Sequence, residues 1–472
     1  MKRCFRGGDT AANRWYMNET LSNVRSYDRS SSYPDVLVNC QFPVTPFKEC
    51  QQHIDIRYLE KLIFQRNRAI IMEVRYTNLK LKNKYWGDPY ITKDKSTEIR
   101  GETVINGRIL SAGSLVTVIT EIDYQIIKET YDYSIEILTW FKASKGFLPD
   151  CFRDYIKQLY RDKTELKGKI GATAEETEYN ERMYGKSKAR LNAVYGMTAT
   201  SPIKELIEYL AEDRDFHYTI TPEEELYAKC KEKYWLPFEW GIYCTSWARM
   251  RLYEGIKLAA GGQNCIRDPD DPEQDSDISG PWFSDFVYCD TDSVKYLGRV
   301  DWSEFNSERI RDSTENGAFA ADQKGIVHYM GVYEEEHTMD KFRTCGPKKY
   351  AYEINGKLSV TIAGVDKKLG AKELAAKGGI EALQDGFVFH EAGGLCAKYN
   401  DFPEPSSIVI NGHKLDIISN CYLTQSEYTL GTIELYKRIL HMSKIDLDRI
   451  ERIMYNEGVI GGDHEYDNKE EL

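Results

Sequence analysis

Short alternations of apolar and polar positions mark the first third of the chain. The runs IIMEVRY (70–76), ETVING (102–107) and SLVTVIT (114–120) each read as a strand bounded by polar turn residues. The spacing then becomes helical. Asp150–Leu166 and Glu175–Tyr195 are joined by the glycine-containing KGKIGATAE, which predicts an antiparallel helical hairpin. WGIYCTSWARMRLYEGIKLAA (240–260) reads as a buried helix, and a further helical region follows Gly298. CGPKKYAYEINGKLSVTIAGV (345–365) predicts two strands joined at Asn355–Gly356. A helix, LDRIERIMY (447–455), and an acidic tail close the chain. The mixture is α+β.

Two stretches put acids where this pattern asks for buried strands. In FVYCDTDSVKY (286–296), Asp290 and Asp292 lie between two β-branched and aromatic flanks, with CDTD at the turn. Carboxylates crowded into a low-dielectric setting resist ionising unless a cation shares the site, so a divalent metal is the simplest expectation. Asp28 is a third acid, ending a strand before the polar run RSSS turns the chain into YPDVLV. Two metals about 3.5–4 Å apart need bridging carboxylates, and they clamp both oxygens of an in-line phosphoryl displacement. The three aspartates meet that count.

In KARLNAVYG, Lys188, Asn192 and Tyr195 fall at i, i+4 and i+7 and share one helical face. A lysine there can meet triphosphate oxygens, and the aromatic can pack under a base or sugar. Taken singly, each stretch has a plainer reading. A D-x-D also occurs in sugar transferases, calcium loops and surface turns; an Asp beside serines caps turns; a lysine beside a core tyrosine is a solvated face.

Composition changes this picture little. The chain has 472 residues, 41% hydrophobic and 29% charged, as expected for a globular protein of two to four subdomains. There is no apolar run of roughly 18–20 residues and no apolar core of a secretory signal, so no membrane partner is expected and a cytoplasmic location is. Eleven scattered cysteines without a C-x-x-C pair support neither a zinc site nor a disulfide framework. The net charge of −12 argues by itself against a nucleic-acid partner. Yet the acids gather in RDPDDPEQDSD (267–277) and GGDHEYDNKEEL (461–472), while YGKSKARLNAVYG and CGPKKY are basic. A local basic channel is therefore compatible with the total.

In chain order, DxxSxYP (28–34), KxxxNxxYG (188–196) and YxDTDS (288–293) resemble motifs A, B and C of the family B DNA polymerases, and Lys348–Tyr350 stands where that family carries K-x-Y. FRGG (5–8) resembles the Y-x-G-G motif of the protein-primed branch found in bacteriophages and linear plasmids. The resemblance implies a right-hand polymerase: a palm with an antiparallel sheet, helical fingers, a thumb, and terminal-protein-region insertions. It implies that Asp28 and Asp292 hold two Mg2+ ions, with Mn2+ as a substitute, and that Asp290 lies beside them as the third catalytic acid. Tyr33 would lie under the deoxyribose, and Lys188 would meet the triphosphate. Asn192 and Tyr195 would line the pocket of the nascent base pair, and Lys163 or Arg161 would make a second triphosphate contact. Lys348 and Tyr350, alternating on a strand, would grip the primer terminus. Phe5, Arg6, Gly7, Gly8, Gly196 and Thr291 would complete the DNA contacts, although Thr291 and Ser293 read first as shaping the turn. Ala193 departs from the serine common in motif B and puts one sugar or minor-groove hydrogen bond in question.

The implied organisation is a joint and palm start (1–39), a first insertion with palm elements (40–133), fingers (134–197), a second insertion (198–240), a palm with motif C and K-x-Y (241–354), and a thumb (355–472). The expected activity is DNA-directed DNA polymerisation, protein-primed and strand-displacing. Expected partners are primer-template DNA, dNTPs, a terminal protein and a separate exonuclease subunit. The last is one of two readings of the 27 residues that precede Asp28, where the family carries its exonuclease; the other is a truncated product, and with either reading this chain is not expected to proofread. Two alternatives stand beside it. A metal-dependent D-x-D glycosyltransferase would start with a Rossmann-like unit and would not need KxxxNxxYG. A non-catalytic nucleic-acid-binding replication subunit would be expected to lose one of the three acids.

Overall fold

Two antiparallel sheets, bridged by one buried helix, carry the site. The computed structural model describes residues 2–13, 16–82, 89–105, 107–200, 206–210, 215–219, 236–259, 286–393, 395–399, 405–410, 413–418, 421–425 and 427–431. In chain order the elements that matter are β1 (Thr10–Ala12), β2 (Thr20–Arg29), α1 (Ser32–Asn39), β3 (Arg68–Leu81), β4 (Arg108–Thr120), α2 (Glu121–Thr130), β5 (Tyr131–Gly146), α3 (Asp150–Leu166), α4 (Ala174–Thr198), α5 (Phe238–Ala259), β6 (Phe286–Asp290), β7 (Ser293–Leu297), α6 (Ser303–Asn316), β8 (Tyr333–Thr344), β9 (Lys349–Ile354) and β10 (Lys357–Ile362).

The first sheet runs β1-β6-β7-β2-β8-β9-β10. Its register places Ser293 opposite both Asp28 and Asp290, and Lys295 opposite both Ser26 and Tyr288. A register shift between Phe286 and Tyr288 changes which way β6 faces. Phe286 packs with Tyr27, Tyr296 and Trp302 on the face covered by α5 and α6, whereas Tyr288 joins the main core. One face of the sheet is thus apolar backing, and the other carries the acids.

The second sheet is built around β3, paired with β4 on one side and β5 on the other. α2 connects β4 to β5 and starts with a capping box formed by Thr120 and Asp123. Its acids point inward. The Asp123 carboxylate accepts from the Arg249 guanidinium of α5 at 2.7 Å, and Glu121 pairs with Lys145 at 2.7 Å and accepts from the Tyr243 hydroxyl at 2.6 Å. α5 is therefore tied to the second sheet by buried charges.

The helical hairpin forms as expected. Ile156, Leu159 and Tyr160 of α3 and Leu191 and Val194 of α4 are buried at helical spacing. The Thr173 hydroxyl caps α4 by accepting from the Glu176 N–H at 3.1 Å. Gly241 lets α5 start against the end of α4: a Cβ there would meet the Thr198 carbonyl oxygen at 2.7 Å.

Two expected boundaries fall inside a sheet. The first sheet continues through Ile362, so the division at 354/355 falls inside the β9–β10 hairpin. The second sheet continues to Gly146, past the expected limit at 133. Residues 134–146, expected to open the fingers, are therefore strand. Of the expected second insertion, the described part includes a hairpin of Leu206–Leu210 with Asp215–Thr219. The acidic loop 267–277, the helix 447–455 and the tail lie outside the described residues. Among the described residues, no disulfide joins the cysteines and no helix is long and apolar enough to cross a membrane.

Candidate active site

The β6–β7 turn places the second and third acids beside the first. Thr291 takes a left-handed conformation (φ 60°), its N–H donates to the Asp9 carbonyl at 2.6 Å, and the Asp292 N–H donates to the Asp290 carbonyl at 2.6 Å. The Arg29 N–H donates to the Asp292 carbonyl at 2.9 Å, which joins this turn to the end of β2. Just beyond, Ser31 (φ 50°) swings the chain from β2 into α1 within one turn. YPDVLV is helical, with Val36, Leu37 and Val38 buried. The buried Arg29–Asp35 ion pair, at 3.2 Å, holds the strand end to that helix.

The three acids have unequal partners. Asp290 accepts from the Thr10 hydroxyl at 2.9 Å, the Thr291 hydroxyl at 3.1 Å, and the Lys348 ammonium at 2.7 Å on each carboxylate oxygen. Asp28 and Asp292 make no ion pair among the described residues. Burial, helped by the neighbouring Asp292 and Glu336 and opposed by Lys295 and Arg29, pushes Asp28 up to about 7. Burial likewise raises Asp292, with Asp290 and Glu336 adding to it and Arg29 opposing. The described residues form no ready-made cluster of three metal-ligating side chains. They offer two carboxylates that are uncomfortable when ionised, a donor set that suits a hard divalent cation.

Facing them is positive charge from the helical hairpin. The Lys163 ammonium donates to the Ser31 hydroxyl at 3.1 Å and is pushed down to about 8 by burial and by Lys167 and Lys188. Lys163 is thus brought to the site with Lys188 close by, whereas Arg161 donates at 2.9 Å to Gln158 on its own helix. Tyr33 and Tyr195 stack with ring centroids 4.1 Å apart at 19°. Asn192 and Gly196 are exposed on the same helix, and a Cβ at Gly196 would meet open space.

The FRGG segment runs against the acidic turn. A Cβ at Gly8 would lie 2.7 Å from the Thr291 hydroxyl, while Gly7 is open. The Arg249 guanidinium donates to the carbonyls of Arg6 and Gly7 at 2.8 Å each, fixing the segment from beneath. Two expectations are corrected here. Arg6 is only 6% exposed, and its guanidinium donates to Thr117 of the second sheet at 2.8 Å, so its side chain is packed away from any template surface. Phe5 packs on Phe238, centroids 5.7 Å apart, which also makes it a packing residue.

Lys348 is corrected too. It is a left-handed residue (φ 55°) preceding β9, not a strand residue alternating with Tyr350. The two still meet, because the Lys348 N–H donates to the Tyr288 hydroxyl at 2.9 Å and the Tyr288 ring lies 5.0 Å from that of Tyr350. Sequence reasoning missed two further residues of this face. Glu336 sits at a bulge between Glu335 and His337 of β8 and accepts from the Ser26 hydroxyl at 3.1 Å. Lys295 lies buried on β7 among the acids. The run EEEH opposite Asp28 was the available signal for Glu336; Lys295 had none beyond a charge inside an apolar strand.

The comparisons with known proteins point the same way as this geometry. The model of DNA polymerase type B, organellar and viral, matches residues 1–234. Over that stretch the chain is similar to the type B DNA polymerases. It is 24% identical over 303 residues to the DNA polymerase of Bacillus phage PZA, covering 63% of this chain and 42% of that one. It is 22% identical over 372 residues to the DNA polymerase of Bacillus phage B103, covering 76% of this chain and 51% of that one. The chain thus spans about half the length of the curated relatives it matches. Among solved structures, Phi29 DNA polymerase in an orthorhombic crystal form superposes with a TM-score of 0.55 at 17% identity, covering 91% of this chain and 62% of that one. Its complex with primer-template DNA and incoming nucleotide substrates gives 0.54 at 17% identity, covering 92% and 62%. At this identity the likeness shows the fold, an α+β polymerase hand.

The acids of this site lead to a pH prediction. In the folded chain Asp28 takes up its proton near 7, and in the unfolded chain only in the ordinary carboxylate range, so between those values the folded state binds more protons. Stability then falls as pH rises through that window. Melting followed in EDTA from pH 5 to 8 is expected to show a falling melting temperature, with a shallower fall in Asp28→Asn. Equal slopes in the two proteins would contradict the assignment.

Proposed function

We propose that this chain is a DNA-directed DNA polymerase that adds dNTPs to a primer under template direction. The observation that carries the reading is that two acids without an ion pair among the described residues, Asp28 and Asp292, lie near the Lys163 ammonium, on which both Asp28 and Lys188 act. Such a site is incomplete until it receives a polyanion with its cations. Asp28 and Asp292 would hold two Mg2+ ions, which Mn2+ can replace; when bound, these supply the Lewis-acid chemistry of nucleotidyl transfer. Asp290, neutralised by Lys348, would keep the turn in shape beside them.

The protein's own residues do the rest. Lys163 and Lys188 neutralise triphosphate oxygens, and partial desolvation of Lys163 strengthens that contact. The Tyr33–Tyr195 stack forms a flat wall for the sugar, and Asn192 lies one turn away toward the base. Gly7 and Gly8 leave backbone open to the template strand. Lys348 and Tyr350 hold the primer end, so that its hydroxyl is oriented rather than activated by side chains. The first hydroxyl would come from a terminal protein, in the cytoplasm of a host cell, and the second insertion would aid strand displacement.

Two variants probe the details. Tyr33→Ala is expected to raise ribonucleotide incorporation relative to deoxyribonucleotide by about 10- to 100-fold, because an added hydroxyl is rejected only by a wall that fills its space. Competing rNTP and dNTP in single-nucleotide extension measures it. Gly8→Ala would drive a methyl into Thr291, and is expected to lower extension about tenfold through displacement of the acidic turn. Adding Thr291→Gly, which suits the left-handed position, should restore most of the loss.

The proposal itself is tested by extending a labelled primer annealed to a longer template, with dNTPs and Mg2+. Products that end at the template terminus support it. Tight primer-template binding without extension would favour a non-catalytic replication subunit.

A further inference from the structure

Lys295 is a lysine where an apolar residue would be simpler. It lies in the middle of β7, paired in register with Ser26 on one side and Tyr288 on the other, and is 5% exposed. Buried lysines are uncommon unless a carboxylate pairs with them. Among the described residues Lys295 has no such ion pair. Its one hydrogen bond is a long donation, 3.5 Å, to the Ser293 hydroxyl. Its ammonium instead sits 5.4 Å from the centroid of the Tyr288 ring and 5.3 Å from that of Tyr350. Asp28, Asp290 and Glu336 act on it from β2, β6 and β8 without reaching it.

We propose that Lys295 is a positioning residue, a resident cation that clamps the Tyr288 and Tyr350 rings and so aligns the primer-holding Lys348–Tyr350 pair with the acids. The chain of contacts is continuous. Lys295 holds both rings by cation–π attraction; the Tyr288 hydroxyl accepts from the Lys348 N–H at 2.9 Å; the Lys348 ammonium donates to Asp290 at 2.7 Å. A leucine or methionine could fill the same space but could not draw two electron-rich ring faces toward one point. The fixed charge has a second effect. It lies among the carboxylates without neutralising any by contact, so it competes electrostatically with divalent cations for them.

These two effects have opposite signs, and that separates the role from mere packing. The inference rests on the polymerase reading, so the experiment has one arm that does not. In Lys295→Met, direct Mn2+ binding to the DNA-free protein, followed by calorimetry, is expected to tighten about three- to tenfold, because a like charge has gone. In primer extension the same variant is expected to raise KM for primer-template about tenfold while leaving KM for dNTP within about twofold, because only the primer grip has loosened. Lys295→Arg, which keeps charge and ring contact, should stay near wild type in both. Circular dichroism melting checks that the variants fold; if Lys295→Met does not, Lys295→Gln replaces it in both arms.

Unchanged or weaker Mn2+ binding in a folded Lys295→Met would overturn the proposal. So would equal shifts in KM for primer-template and dNTP. A wild-type chain that binds Mn2+ but extends no primer overturns the polymerase reading alone, and the Mn2+ arm then still decides the role of Lys295.

Discussion

Asp292→Asn is expected to lower templated primer extension by about a thousandfold or more and to leave the protein at least as stable as wild type. The loss corresponds to about 4 kcal/mol of transition-state stabilisation, at 1.36 kcal/mol per decade, which is reasonable for removing one of two carboxylates that would hold the cations. The gain in stability follows from the same burial. Asp292 is raised above the ordinary carboxylate range because its ionised form is desolvated and faces Asp290 and Glu336. A neutral amide of the same shape removes that repulsion. The turn should survive, because the bonds that shape it at this residue are made by its backbone, to Asp290 and Arg29 at 2.6 and 2.9 Å. Rate and melting temperature, measured on one preparation, give both signs. Activity within tenfold of wild type, or a large fall in melting temperature, would contradict the assignment.

Arg249→Leu should act the other way, through the fold. Arg249 is 4% exposed, and its guanidinium donates to Asp123 at 2.7 Å, the Tyr90 hydroxyl at 2.7 Å, Ser246 at 2.9 Å and the carbonyls of Arg6 and Gly7 at 2.8 Å. Burial alone would raise Asp123, but the guanidinium groups of Arg249 and Arg6 and a hydrogen bond from Tyr90 hold it at about 2. Deleting the arginine strands a buried carboxylate, at a cost of about 3–5 kcal/mol. For a chain of this size that is a fall in melting temperature of about 3–5 °C. Asp123→Asn in the same protein should recover part of the stability but not the Gly7 anchorage, so template binding should stay weakened. If Arg249→Leu melts within about 2 °C of wild type, the network does not bear the strain assigned to it.

What could be read from sequence was mostly local. The hairpin at Asn355–Gly356 was visible because both residues need left-handed backbone, and they adopt φ 50° and 73°. The three acids were visible because carboxylates stand out in apolar strands, and the helical hairpin because its spacing is strict. What escaped depends on pairings between distant residues. β9 and β10 look like the start of a new unit until β8 brings them into the first sheet, and nothing near Leu81 announces that β5 extends to Gly146. Arg6 looks like a surface base until Thr117, 111 residues away, accepts its hydrogen bond. Lys348 meets the acidic turn, but not as a strand residue alternating with Tyr350. Its left-handed backbone depends on the Tyr288 hydroxyl, which no spacing rule within CGPKKY could supply.

The most direct test of the central claim is single-nucleotide addition on four primer-templates that differ only in the first template base, each offered the four dNTPs separately with Mg2+. The account predicts one added nucleotide, the complementary one, in each case, and loss of all four products in Asp28→Asn and Asp292→Asn. Addition that ignores the template base, or that persists without both acids, would contradict it.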